Sequence, residues 1–294
     1  MVPTLRSCIA LIALFSASSA SAQEPGEAWR TLRTEHARIY YPQRASDFAG
    51  EVAAQYESIR AEVIAEVGYE MPQRLDIVIR DPYSTANGMA LPFLRHPRLE
   101  LWATPPDATS VIGHYDTWAR LLVTHEVAHQ VHLLRPSRNG FERALSAVTG
   151  IGPVAWKSPR WVAEGYATVV EGRLTPAGRP NGDFRPLLLR TLAREGKLPT
   201  YGELDGSSRF LGGAYAYLVG SAYLEWLEAR QGEGSLRDLW MRMTSRQSRS
   251  FDDAFHGVFG EAPDVLYGRF TAELTADAMA SEATQGPTGE VWAD

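Results

Sequence analysis

Cysteine and lysine are almost absent from this chain. Cys8 is the single cysteine among 294 residues, and lysine occurs only at Lys157 and Lys197. Cys8 lies in an N-terminal apolar run that we expect to be removed, so the mature protein would have no thiol and no disulfide. Its stability would then come from a hydrophobic core, or from a core together with a metal ion.

The chain also lacks an excess of positive charge. Its net charge is −6 and its pI is about 5.7, which argues against nucleic acid or an anionic membrane as the main partner. Hydrophobic residues make up 45% and charged residues 22% of the sequence. These proportions are typical of a soluble globular protein.

One apolar run stands out, and it is short. Residues Cys8 to Phe15 follow Arg6 and precede small residues that end in Ala20-Ser21-Ala22. Eight apolar residues cannot span a bilayer. We therefore expect residues 1–22 to be a bacterial Sec-type signal peptide, with a periplasmic or secreted mature chain that has no transmembrane segment. The alternative is a buried N-terminal helix.

Hydrophobic periodicity predicts strands in the first third of the chain and helices after it. Alternating β-branched and aromatic residues indicate strands, two of which form a hairpin, at 36–42, 74–81, 86–93 and 98–104. Helical spacing predicts a helix over 45–67 and a second that begins near Asp116 as N-cap and ends before Pro136. We expect a loop-rich stretch over 135–159. Further helices are predicted over 159–172, 183–195, 213–232, 235–245, 250–260 and 262–279. Strands followed by helices indicate an α+β fold.

The segment "LLVTHEVAHQVH", residues 121–132, carries the strongest chemical signal. His125 and His129 are four residues apart, so on a helix they share one face and can bind one metal ion. Glu126 lies beside that face, from which its carboxylate can reach a water on the metal. Two ligands and a general base at this spacing are typical of zinc peptidases.

His132 is a poor third ligand. On a straight helix it lies about 10 Å along the axis from His125. We expect it to be a packed or supporting histidine near the helix end.

Glu164 in "WVAEGYATVVEG" is the better third ligand. It lies on a second predicted helix, and Gly165 and Ala167 would let that helix approach the first one closely. Glu171 lies on roughly the same face, but it precedes Gly172 at the helix end and is expected to be exposed. The alternative for Glu164 itself is a surface glutamate on an amphipathic helix.

These residues carry a resemblance to a known family. "HEVAH" followed by "WVAEGYA" resembles the gluzincin zinc metallopeptidases, and more narrowly the peptidase MA-like domain of secreted bacterial proteins. The resemblance covers about residues 31–280, with "DPYSTANGMA" before and "YAYLVG" after the two helices. It implies a zincin-like fold, with an N-terminal mixed sheet and active-site helices followed by a mainly helical C-terminal subdomain.

The resemblance also implies roles for individual residues. His125, His129 and Glu164 would hold one Zn²⁺ per chain, and Glu126 would be the general base. Tyr217 would stabilise the oxyanion, with Tyr215 as its rival and core packing as the alternative for both. An edge strand would pair with an extended peptide substrate through Asn87, Gly88, Met89 and Ala90.

The sequence departs from the family pattern at two points. The 34 residues between His129 and Glu164 exceed the spacing in thermolysin and the aminopeptidases. "NGMA" only faintly echoes the aminopeptidase element that binds a free N-terminus, so endopeptidase action is expected. We expect a peptidase domain over 23–280, divided at 175/176, and a polar tail over 281–294. The expected partner is a peptide or protein, with a periplasmic protein as a further candidate.

Two other functions are compatible with these residues. One is a non-catalytic binding module that keeps the peptidase fold, although the intact Glu126 argues against it. The other is a zinc hydrolase that acts on a non-peptide substrate, because the site chemistry would be the same.

Overall fold

The computed structural model describes residues 27–284, and side chains up to Ser281. The expected signal peptide, residues 1–22, and residues 285–294 of the expected polar tail lie outside that range. No helix within the described range is long and apolar enough to cross a membrane.

A five-stranded mixed sheet forms the N-terminal part of the fold. Its strands are β1 (Trp29–Arg33), β2 (Ala37–Pro42), β3 (Leu75–Arg80), β4 (Gly88–Leu91) and β5 (Arg98–Trp102). They lie in the order β1-β2-β3-β5-β4. The central strands β2, β3 and β5 run parallel, whereas β1 and β4 pair antiparallel at the two edges. β4 therefore has one side of its backbone facing away from the sheet.

Within residues 27–284, ten helices follow the strands or cross between them. Their bounds are α1 (Ser46–Val67), α2 (Trp118–Leu133), α3 (Gly140–Thr149), α4 (Pro153–Lys157), α5 (Arg160–Leu174), α6 (Phe184–Arg194), α7 (Tyr215–Gln231), α8 (Ser235–Met243), α9 (Phe251–Phe259) and α10 (Pro263–Thr284). Short 3₁₀ turns occur at Gln43–Ala45, Arg179–Asn181, Tyr201–Asp205 and Gly212–Ala214. The predicted α+β architecture is confirmed.

One part of the core lies between one face of the sheet and helices α1 and α2, and the core continues among α5, α7, α8 and α9. Leu75, Ile77 and Ile79 of β3 are buried, and the residues between them are only partly buried, as expected for a strand packed on one face. Both central strand pairs are parallel, and the connection from β2 to β3 is α1. α2 then lies within the core, where nearly all of its residues are buried.

Three predicted boundaries change. The side chain of Thr117, not Asp116, caps α2 by accepting a hydrogen bond from Arg120 N. The stretch predicted as loop over 135–159 contains α3 and α4. α10 extends to Thr284, four residues into the segment predicted as a polar tail. The sequence analysis also missed β1, a short edge strand without a regular apolar alternation.

A pair of glycines lets α5 and α7 cross closely. A Cβ atom at Gly165 would lie 2.8 Å from the carbonyl carbon of Gly220, and one at Gly220 would lie 2.9 Å from Trp161 O. The small residue after Glu164 was expected to face the helix of the two histidines. It instead serves the contact with α7, the helix that carries Tyr217.

Candidate metal centre

Helices α2 and α5 bring His125, His129 and Glu164 together. The imidazole rings of His125 and His129 are 4.8 Å apart between centroids and nearly perpendicular. Oε2 of Glu164 lies 3.0 Å from His129 Nε2 and 3.6 Å from His125 Nε2. One potential ligand atom from each of the three residues lies within 4.8 Å of the others.

The donor set of this cluster is suited to zinc. Two imidazole nitrogens and one carboxylate oxygen are the ligands of catalytic zinc sites, which leave a further position for water or substrate. The histidines are buried and Glu164 is largely buried, with 20% of its side chain exposed. The two histidines hold the pKa of Glu164 far below its ordinary range, despite the opposing effect of burial. Glu164 is therefore ionised, as a metal ligand must be.

Glu126 lies beside the cluster and against the edge strand. It is buried, and burial raises the pKa of its carboxyl group. A Cβ atom at Gly88 would lie 2.6 Å from Glu126 Oε1 and 2.5 Å from Leu122 Cδ1. A side chain at position 88 would therefore displace the Leu122 side chain or the Glu126 carboxylate.

The four predicted strand residues lie along the same cleft. β4 begins at Gly88 and pairs only with β5, where Gly88 lies opposite Leu101 and Ala90 opposite Leu99. Asn87 precedes the strand, and its carbonyl accepts a hydrogen bond from Trp102 N. Met89 is 48% exposed. Gly88, Met89 and Ala90 share a cavity wall with the three cluster residues and Glu126.

Only one of the two candidate tyrosines faces the cleft. The Tyr217 ring stacks on His125 with centroids 5.9 Å apart. Burial, and then the charge of Glu164, raise the pKa of its hydroxyl to about 12. Tyr215 is buried, and its hydroxyl donates to Phe210 O away from the cluster.

Glu171 and Arg179 form a buried ion pair behind His125. The prediction for Glu171 was therefore wrong. Glu171 was expected to be exposed, but its side chain is fully buried. It accepts hydrogen bonds from Arg179 Nε at 3.1 Å and from Arg179 N at 2.6 Å. Burial alone would raise the pKa of Glu171, but Arg179 and His125 hold it at about 2. A buried charge needs such a partner.

Nδ1 of His125 faces this ion pair. It lies 3.3 Å from Glu171 Oε2 and 2.8 Å from Arg179 Nη2. Burial and Arg179 lower the pKa of His125, but hydrogen bonds with Glu164 and Glu171 outweigh them, so the pKa lies above its ordinary value. Arg179 Nη2 can only donate, so Nδ1 accepts this hydrogen bond. With a metal on Nε2 and a proton on Nδ1, the ring would instead donate to Glu171 Oε2, 3.3 Å away. Such a carboxylate contact orients a metal-binding imidazole.

His132 lies outside the cluster, as expected from helix geometry. It packs between Tyr166 and Trp240, at centroid distances of 4.8 and 4.2 Å. Neither of its ring nitrogens has a hydrogen-bond partner among residues 27–284. Burial holds the pKa of His132 well below its ordinary value, so the ring is neutral core material.

Known proteins are similar to this chain in structure, at low sequence identity. No family model matches the sequence, and no curated protein matches it. The fold is similar to that of solved M1 zinc metallopeptidases. One from Deinococcus radiodurans, as a mutant, is 15% identical, with a TM-score of 0.42 and coverage of 90% of this chain and 53% of that one. A mutant two-domain M1 zinc metallopeptidase bound to L-arginine is 15% identical, with a TM-score of 0.41 and coverage of 89% and 52%.

A third solved structure gives a similar identity, coverage and TM-score. The M1 zinc metallopeptidase from Deinococcus radiodurans is 16% identical, with a TM-score of 0.40 and coverage of 90% of this chain and 54% of that one. The chain thus spans about half the length of the solved structures that it matches.

Proposed function

We propose that this protein is a zinc-dependent metallopeptidase that cuts within peptide chains. The observation that carries the proposal is the convergence of His125, His129 and Glu164 beside Glu126 and an unpaired strand edge. Each part alone has a structural explanation. Together they supply a metal site, a base and a place for an extended chain.

The three cluster residues would hold zinc through Nε2 of each histidine and a carboxylate oxygen of Glu164. When bound, zinc would polarise a water molecule and the carbonyl of the peptide bond. Glu171 Oε2, 3.3 Å from Nδ1 of His125, would accept the Nδ1 proton in place of the hydrogen bond that Nδ1 receives from Arg179, and so keep the ring oriented.

Glu126 would move the proton. Its carboxylate would accept a proton from the attacking water and deliver it to the leaving amine. Burial raises the pKa of Glu126, which makes the carboxylate a stronger base than one in water. The Tyr217 hydroxyl would donate a hydrogen bond to the oxygen that becomes negatively charged. Its raised pKa keeps it protonated for that purpose.

β4 would hold the substrate as an added strand. Its backbone edge away from β5 would offer N–H and C=O groups to an extended chain, with Gly88 N exchanging its hydrogen bond to Asn87 Oδ1 for one to the substrate. Gly88 lets that chain come close to Glu126. "NGMA" matches the aminopeptidase element for a free N-terminus only faintly, which favours cleavage within a chain. The 1–22 signal peptide and a periplasmic or secreted location are part of the same proposal.

The direct test is peptide cleavage by the wild type and by Glu126→Gln. The purified, zinc-loaded protein is incubated with unfolded casein and a quenched fluorescent peptide library. We expect cleavage by the wild type and a loss of about 10²–10⁴-fold in Glu126→Gln, because the base is removed while the ligands remain. Equal cleavage by both proteins would exclude the mechanism. Zinc binding without cleavage of any peptide would favour the binding module or a non-peptide hydrolase.

A further inference from the structure

A cavity of about 520 Å³ opens beside Glu126 and Tyr217. Its walls are mainly apolar and come from the start of α2 and the loop before it: Val111, Ile112, Trp118, Leu121 and Leu122. Its polar end carries two arginines, Arg160 and Arg179. Glu126 is the single acidic residue on the wall within the described part of the chain.

Both arginines lie over the Tyr217 ring. The guanidinium carbon of Arg160 lies 5.3 Å from the ring centroid, and that of Arg179 lies 4.8 Å from it. The same ring stacks on His125. The Tyr217 ring therefore contacts both guanidinium groups and also His125, one of the proposed metal ligands.

The charges of these two arginines are compensated very differently. Arg179 is paired with Glu171. Arg160 forms no ion pair with any residue of 27–284. Its Nη1 and Nη2 donate to two backbone carbonyls, Asp205 O at 3.3 Å and Gly213 O at 3.2 Å. The Asp205 carboxylate is directed elsewhere, because its Oδ1 accepts from Trp161 N.

We propose that Arg160 makes this cavity a subsite for a carboxylate of the substrate. The inference rests on the proposed peptidase function and adds a substrate class to it. A guanidinium binds a carboxylate through two parallel hydrogen bonds, and the apolar wall would cover the aliphatic carbons that carry it. The carboxylate can come from a Glu or Asp side chain, or from the C-terminus of a peptide.

The test compares substrates that differ in one charge. Matched peptides carry Glu or Gln at each position around the cut, and a second pair ends in a free acid or an amide. We expect the wild type to favour the charged member by about two- to fivefold in kcat/KM, since Arg160 is exposed and solvent weakens its interaction with a carboxylate. In Arg160→Gln the preference should disappear, because the charged peptide loses kcat/KM relative to the neutral one. Arg160→Lys should keep part of it.

Arg209→Gln is the matched control. Arg209 also lies over a tyrosine ring at the start of α7, 5.8 Å from Tyr215, but outside this cavity. Its loss should leave the charge preference unchanged. The pair of substrates that shows the preference identifies the source of the carboxylate, either a side chain or the C-terminus.

A binding measurement separates failure of this inference from failure of the peptidase proposal. Calorimetry on wild type and Arg160→Gln compares N-acetyl-glutamate α-amide with N-acetyl-glutamine α-amide for the side chain, and N-acetyl-glutamine with N-acetyl-glutamine α-amide for the C-terminus. Tighter binding of the acid that depends on Arg160 would support the subsite even if no peptide were cut. Cleavage of neutral and charged peptides at equal rates, or acid binding that survives in Arg160→Gln, would overturn it.

Discussion

Tyr217 and Tyr215 are two residues apart on α7 but have different surroundings. Tyr217 stacks on His125, whereas the Tyr215 hydroxyl donates to Phe210 O. We expect Tyr217→Phe to lower kcat by about 10²-fold with little change in KM, because one oxyanion donor is lost. Tyr215→Phe should leave kcat unchanged and cost about 1 kcal/mol of stability for its hydrogen bond. Steady-state kinetics on both variants check this. A larger loss of kcat in Tyr215→Phe than in Tyr217→Phe would mean that Tyr215, and not Tyr217, is the oxyanion donor.

Glu171 gives a second test of the site, through zinc affinity rather than turnover. Its carboxylate lies 3.3 Å from Nδ1 of His125. Glu171→Gln should weaken zinc binding by about 10–100-fold, as is usual when the partner of a ligand histidine is removed. Competition with a chromogenic chelator measures this. Glu195→Gln is the control, since Glu195 contacts Lys197 far from the cluster in sequence. Equal zinc affinity in wild type and Glu171→Gln would show that Glu171 does not support zinc binding through His125.

The sequence predicted the three residues of the cluster, but it did not predict the buried ion pair that contacts His125. His125 and His129 follow from helix geometry alone, because residues four apart share a face. The burial of Glu171 could not be predicted, because it depends on Arg179, which a turn after α5 brings back against it. "RLTPAGRP" between the helices shows no pattern that would place an arginine in the core. The available signal was a glutamate seven residues after Glu164, on the same face.

Helices α3 and α4 were missed because α3 inverts the usual polarity. Its buried residues are Glu142 and Ser146, whereas Phe141 and Val148 are 76% and 87% exposed. The expectation that apolar residues face the core fails on such a helix. Glu142 is buried because Lys157 of α4 donates to it at 2.6 Å and Ser137 donates to it at 2.6 Å. These polar contacts hold together the segment that connects α2 to α5.

The Glu142 network makes a pH-dependent contribution to stability. Burial alone would raise the pKa of Glu142, but Lys157, Ser137 and Ser248 lower it below the ordinary value. A lowered pKa means that the contribution is present above the unfolded pKa of about 4.3 and is lost as the pH falls through the folded pKa. Glu142→Gln should therefore be less stable than wild type by about 1–3 kcal/mol at pH 7.

Thermal unfolding from pH 7 to pH 3.5 tests that sign. The gap in Tm between wild type and Glu142→Gln should be constant down to about pH 4.5 and narrow below it, since protonation neutralises the wild-type carboxylate. The exposed Glu195→Gln should show a much smaller gap at every pH. A gap that stayed constant or widened on acidification would contradict the role of Glu142.

Across the whole molecule, the order of elements was predictable and the pairing of strands was only partly so. Alternating apolar residues predicted β2 and β3, and the β4–β5 hairpin followed from two runs around a turn. The parallel pairing of β3 with β5, which leaves β4 at the edge, depends on the packing of α1 and α2 on the sheet. Export through residues 1–22 stays a prediction.

The most direct measurement is the zinc content of the purified protein by elemental analysis, beside His129→Ala and Glu164→Ala. Circular dichroism on each sample shows that the fold is intact. We expect about one zinc per chain in the wild type and almost none in either variant, because each removes one of three ligands. A wild type that takes up no zinc after refolding with the metal, or a folded Glu164→Ala that keeps a full equivalent, would contradict the metal centre.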